Sequence, residues 1–116
     1  MADPFWINLD RFIAAHPVVI DRARGSAHPR YADLIYPLDY GYLADTRAGD
    51  GSGIDVWVGS LPMRQVTAVM LTVDLEKHDL EYKVLLGCTP AEAETVKAWH
   101  NSGEQTGILI KRFGEI

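Results

Sequence analysis

The residue pattern predicts a small, mainly β domain with two flanking helices, and three observations carry that prediction. Five short runs rich in β-branched residues are bounded by clusters of Gly, Pro, Asp and Ser. Two helix-length segments each open on a capping residue followed by proline, at Asp3-Pro4 and Thr89-Pro90. A chain of 116 residues, 47% of them hydrophobic, can bury one sizeable core and has no room for a second domain, so residues 1–116 read as one unit. Five short strands with two helices suggest a small barrel or curled sheet.

Each element follows from its local pattern. Asp3 reads as an N-cap, and Phe5, Leu9, Phe12 and Ile13 recur at helical spacing up to His16 and Pro17, which makes a short amphipathic helix. Pro17 to Ile20 is a β-branched run ending at Asp21, and the turn-rich Arg24-Gly25-Ser26-Ala27-His28-Pro29 follows it, so a strand feeds a polar loop. Tyr36 to Gly53 has no sustained period and reads as one long structured loop, of the kind that usually carries function. Ile54 to Val58 alternates, sending Ile54, Val56 and Val58 to one face and Asp55 and Trp57 to the other, which puts a carboxylate on a strand. Gln65 to Val73 and Leu80 to Cys88 are two further strands, joined by the charged turn from Asp74 to Asp79, with Glu81 and Lys83 sharing a face. Thr89-Pro90-Ala91-Glu92 is a capping box opening a helix through about Asn101, and Gly107 to Arg112 is the last strand.

Composition excludes several classes of function. A net charge of -5 argues against nucleic acid, which a basic face normally binds. Cys88 is the only cysteine, so neither an intramolecular disulfide nor a cysteine-rich metal site is available, and its place in an apolar strand makes it a buried small hydrophobe. The acidic N-terminus lacks the basic segment of a signal peptide, and no apolar run reaches bilayer-spanning length. The expectation is a cytoplasmic protein that engages neither membrane nor nucleic acid.

The residues with chemical potential form two groups. Asp50 and Asp55 flank Gly51-Ser52-Gly53, and Glu76, Asp79 and Glu81 lie along one hairpin. A hard cation such as Mg2+ takes carboxylate and water oxygens, so acids converging from two strand edges would hold one; acids on a hairpin can equally solvate a turn, the reading preferred for Asp79. Asp55, inside an apolar strand, needs a partner if it is buried. Tyr36, Tyr40 and Tyr42 can either donate to phosphate oxygens or pack in an aromatic core. Arg30 and Lys83 are candidate phosphate clamps, or ordinary surface charges.

The segment YPLDYGYLADTRAGDGSGIDVWVG resembles the central signature of the soluble family I inorganic pyrophosphatases, in which Tyr-Pro-x-x-Tyr-Gly precedes an Asp-Gly-Asp-Pro-x-Asp loop. The likeness extends from about Val18 to about Gly87. It implies an OB-like five-stranded barrel with flanking helices, and Mg2+ as cofactor. It also implies Asp50 and Asp55 as metal ligands, Tyr36 and Tyr40 as the signature tyrosines, and Asp21 in place of an early metal-binding glutamate. Arg30 falls near a phosphate-binding lysine, Lys83 on a later one, and, counting back from Lys83, Glu81 and Glu76 take the places of metal-binding aspartates. The departures are as specific. The middle acid of the metal loop, taken in the family as general base, is Ser52, whose hydroxyl cannot accept a proton as a carboxylate can. A hairpin bearing a phosphate-binding arginine is missing between Arg30 and Tyr36. The family's Tyr-Lys pair has no counterpart in Lys97-Ala98-Trp99-His100, which leaves Lys111 or Arg112 as substitutes and Asp39 as an alternative base.

The resemblance therefore implies an inorganic diphosphatase that hydrolyses pyrophosphate through a metal-activated water, with Asp50, Asp55, Tyr40 and Ser52 at the reacting centre. The alternative is a protein of the same fold that binds or acts on an organic phosphate ligand without hydrolysing pyrophosphate. An apolar patch from Trp57, Trp99 and the first helix would make the chain a homo-oligomer.

Overall fold

The computed structural model describes residues 3–49 and 51–112. In chain order its elements are α1 (Pro4–Ala14), β1 (Val18–Arg22), β2 (Asp39–Leu43), β3 (Asp55–Val58), β4 (Val66–Asp74), β5 (Asp79–Leu86), α2 (Pro90–His100) and β6 (Gln105–Lys111). The strands form one sheet in the order β1-β2-β3-β5-β4-β6. Every neighbouring pair is antiparallel except β3 with β5. The mainly β class with two helices holds; among the described residues there are six strands rather than the expected five, and of the two expected forms, barrel or curled sheet, the sheet is not closed, with β1 and β6 as its edges.

The added strand is β2, inside the segment read as a loop. Its sequence, DYGYL, hides its period because the central residue is Gly41, where a Cβ would run into the Val19 carbonyl oxygen of β1. The glycine is therefore a consequence of strand pairing and not a loop signal.

Both helix starts are built as expected. The Asp3 side chain accepts from Phe5 N at 2.9 Å, and Thr89 and Glu92 form the reciprocal capping box. The helices cover opposite faces of the sheet. Beneath α2 lies a core of Trp57, Met70, Leu85, Cys88 and Val96, and beneath α1 one of Ile13, Leu43, Val56, Val66, Val84 and Leu86. Because both faces are covered there, β5 ends in a run of buried residues with no alternation. Cys88 is buried as expected, and burial, with Glu92, pushes its thiol up to about 12. On α1 the residues packed down are Trp6, Leu9 and Ile13, while Phe5 and Phe12 stay exposed, so the apolar stripe is rotated from the one the spacing predicts. Asp10 fastens this helix, accepting from Val66 N at 3.1 Å and from Arg112 Nη1 at 2.7 Å.

Trp57 is fully buried, so it does not supply the expected surface patch. Among the exposed apolar residues, Val73, Leu80, Tyr82, Ile108 and Ile110 lie together on the α1 side of the sheet beyond the helix. No helix among the described residues is long and apolar enough to cross a membrane.

Candidate active site

Strand alternation and register place the polar residues of five strands on the α2 face of the sheet. Tyr40 pairs with Trp57 across β2 and β3, Trp57 with Leu85 across β3 and β5, and Glu81 with Thr72 across β5 and β4. Since side chains alternate along each strand, Tyr40, Asp55, Asp79, Glu81, Lys83, Asp74 and Gln105 all share this face.

Lys83 is the hub. Its ammonium, on a residue 5% exposed, lies 3.0 Å from Asp55 Oδ2 and 3.1 Å from Glu81 Oε1, and donates to the Tyr40 hydroxyl at 3.1 Å. Burial alone would lower the Lys83 pKa, but Tyr40, Asp55 and Glu81 raise it overall. Burial, followed by Asp55, raises the Tyr40 pKa despite Lys83. At neutral pH the cluster is thus a neutral phenol and an ammonium held by two carboxylates. The partner that Asp55 needs is Lys83, and the expected free phosphate clamp is an ion-pair centre.

Two cavities flank this hub. The smaller, about 270 Å³, is lined by Ala48, Gly49, Asp55, Asp79, Leu80, Glu81 and Tyr82. Here Asp79 does more than solvate a turn: burial first, and then Glu81 beside it, raise its carboxyl pKa, as expected where like charges crowd. Glu81 itself is lowered, Lys83 outweighing the effect of burial. The larger is a cleft of about 850 Å³ that has Tyr40, Glu81 and Lys83 in its lining. Its walls are the loop carrying His28, Arg30 and Tyr31, the β4–β5 turn, and the segment from Trp99 to Gln105. The Trp99 indole donates to Ile35 O at 2.9 Å and ties the first wall to α2; Leu75 N donates to Glu104 O at 3.0 Å and ties the other two together.

The expected site residues divide between these places. Asp55 and Glu81 meet at the small cavity, while Arg30, Tyr36, Tyr40, Lys83 and Glu76 line the cleft. Glu76 is thereby in the cleft and Asp55 in the cavity, so no one cavity is lined by both. Tyr36 is 3% exposed and its hydroxyl accepts from Arg22 at 3.0 Å, so it serves the aromatic core as well. Asp21 is exposed on β1, Ser52 is exposed on its loop, and neither lines a cavity described here; Asp50 lies outside the described residues. Asp39 accepts from Arg24 N at 2.9 Å, a loop-holding role. Lys111 pairs with Glu94 at 3.3 Å and Arg112 with Asp10, which places neither in the cleft. The cation missed in the sequence is Lys77, which reaches the cleft from the β4–β5 turn. Turn position alone carried no signal for it.

His100, 2% exposed, completes the floor. Its Nε2 accepts the Trp57 indole N–H at 3.0 Å, since an indole only donates. The ring proton is therefore on Nδ1, which donates to Gln105 Oε1 at 2.9 Å. Burial is the main reason its pKa is held down to about 4 from 6.5, and Lys83 adds to it. The unfolded chain binds a proton that the native ring lacks between those values, so this stability is complete above pH 6.5 and is lost as pH falls towards 4. The loss is on the order of 3 kcal/mol. Urea unfolding at neutral pH and near pH 4 measures it, and His100→Gln is expected to flatten the dependence; an unaltered slope would place the titration elsewhere.

The fold is that of solved inorganic pyrophosphatases. The chain is similar to the crystal structure of an inorganic pyrophosphatase from Neisseria gonorrhoeae, with TM-score 0.64 and 17% identity over 82% of this chain and 81% of that one. It is also similar to the inorganic pyrophosphatase of Coxiella burnetii, with TM-score 0.58 and 15% identity over 81% and 82% of the two chains. The likeness is one of fold. No protein-family model and no curated protein sequence matches the chain.

Proposed function

We propose that this chain is a Mg2+-dependent phosphohydrolase that cleaves a phosphoanhydride, pyrophosphate being the simplest. The observation that carries the reading is the junction at Glu81 and Lys83, where a carboxylate-lined cavity meets a cleft bearing Arg30, Lys77 and Lys83.

The donor set fits a hard cation. Among the described residues no three acids, histidines or cysteines already cage an ion. Mg2+, however, usually keeps several waters and takes one or two carboxylates plus substrate phosphates, and Asp55 and Glu81, with Asp79 beside them, supply those oxygens. The lining of the cleft also calls for a counter-cation, because Asp33, Asp74, Glu76, Glu81 and Glu104 outnumber its three basic residues. Bound there, Mg2+ would supply charge neutralisation and a water of lowered pKa.

The chain's own residues then bind and orient. Arg30 and Lys77 stand at the cleft to attract phosphate oxygens, and the Tyr40 hydroxyl, fixed by Lys83, marks the inner end. Lys83 holds Asp55 and Glu81 side by side and lowers the pKa of Glu81 against the effect of burial. Ser52 lines neither the cavity nor the cleft, and its hydroxyl cannot accept a proton as a carboxylate can, so a carboxylate of the cavity is left as base.

Phosphate release from pyrophosphate should require Mg2+, and Asp55→Asn, with an isosteric side chain, should lower it by at least about tenfold. Turnover that survives either chelation of the metal or the substitution would remove Asp55 from the reaction.

A further inference from the structure

The cleft is much larger than a pair of phosphates requires, and one wall is aromatic. At about 850 Å³ it falls in the range of pockets that take drug-sized organic ligands, roughly 300–1,000 Å³. Its rings form a row: Tyr31 is 5.2 Å from His28, His28 is 6.0 Å from Tyr36, and Tyr36 is 4.9 Å from Trp99 and 5.6 Å from Tyr40, whose hydroxyl meets Lys83. Tyr36 is buried, whereas Tyr31 is 48% exposed and His28 and Trp99 are partly exposed, so the open ring surface is at the end away from Lys83. No ligand ring fits between these neighbours, since stacking on both faces needs about 7 Å, twice the 3.5 Å contact distance. A ligand ring must therefore lie over the wall.

We propose that the cleft receives an aromatic ring against Tyr31, His28 and Trp99, with the attached phosphate chain running to Lys83 and Tyr40, so that the substrate class is an aromatic phosphoanhydride such as a nucleoside diphosphate. The phosphate end rests on the function proposed above; the ring end does not. Arg30, whose guanidinium lies over Tyr31 at 5.7 Å, places positive charge next to the ring wall, where the first phosphate of such a ligand would pass. His28 adds an uncharged ring, because burial, Arg22, Arg30 and Lys77 all lower its pKa.

Calorimetric titration with ADP, adenosine and pyrophosphate, each with Mg2+, tests this. ADP is expected to bind about tenfold more tightly than pyrophosphate, as stacking of one base allows. Tyr31→Ala, at an exposed position, should weaken ADP and adenosine several-fold more than pyrophosphate, and Tyr31→Phe should restore them. Pyrophosphate binding as tightly as ADP, or equal losses for all three in Tyr31→Ala, would overturn the ring site. Phosphate release is scored separately: ADP binding that depends on Tyr31 without hydrolysis of either substrate rejects the hydrolase reading and keeps the ring site.

Discussion

Lys83→Met is expected to cost about 3 kcal/mol of stability and to abolish phosphate release, the largest effect of any single change at the site. Removing the ammonium leaves the Asp55 and Glu81 carboxylates facing each other without the cation that both now contact. Breaking a buried pair in this way usually costs about 3–5 kcal/mol, and the lower end applies because the Asp55 and Glu81 side chains are 33% and 21% exposed and water screens them in part. Methionine fills the lysine stem's volume, so the loss reports charge rather than a cavity. Adding Asp55→Asn and Glu81→Gln to Lys83→Met should recover most of the stability but none of the activity. The same logic gives Mg2+ a separate readout: it should raise the melting temperature of Lys83→Met more than that of the parent, having two unneutralised carboxylates to bind. Equal stability of Lys83→Met and the parent in urea would show that the ion pairs contribute nothing net.

Gly41→Ala should destabilise the fold by about 3 kcal/mol or more, without touching a charged group. A Cβ at this position meets the Val19 carbonyl oxygen and the adjoining backbone of Val19 and Ile20. Backbone cannot swing aside as a flexible side chain can, so β1 must part from β2 where Ile20 now pairs with Gly41. The strain falls on an edge strand, and Tyr40, the neighbour of Gly41, is a contact of Lys83, so the site should loosen with it. Urea denaturation measures the cost, and hydrogen exchange localises it to β1 and β2. A loss confined to a few tenths of a kcal/mol would mean that β1 moves freely and that Gly41 is replaceable.

These two residues also divide what sequence reasoning reached from what it missed. Gly41 sits within YPLDYGY, the segment whose resemblance pointed to this fold, but without β1 in view the glycine read as part of a loop. Lys83 and Glu81 were placed on one face by simple alternation, correctly. That Asp55 joins them depends on β3 lying parallel beside β5, a pairing between segments far apart in the chain.

The sequence by itself determined the elements whose cause is local: both helix caps, the β4–β5 turn, the burial of Cys88 and which side chains of β3 and of β5 share a face. Such features depend on residues a few positions apart, within reach of backbone periodicity and capping chemistry. Only the tertiary structure decided that the sheet stays open, that Trp57 is core, that Lys77 and Trp99 face one cleft, and that Lys83 is held by carboxylates. Each of these is set by strand order, register and the packing of distant segments, and a charge or a ring carries no mark in its own neighbourhood of which remote partner will neutralise or cover it.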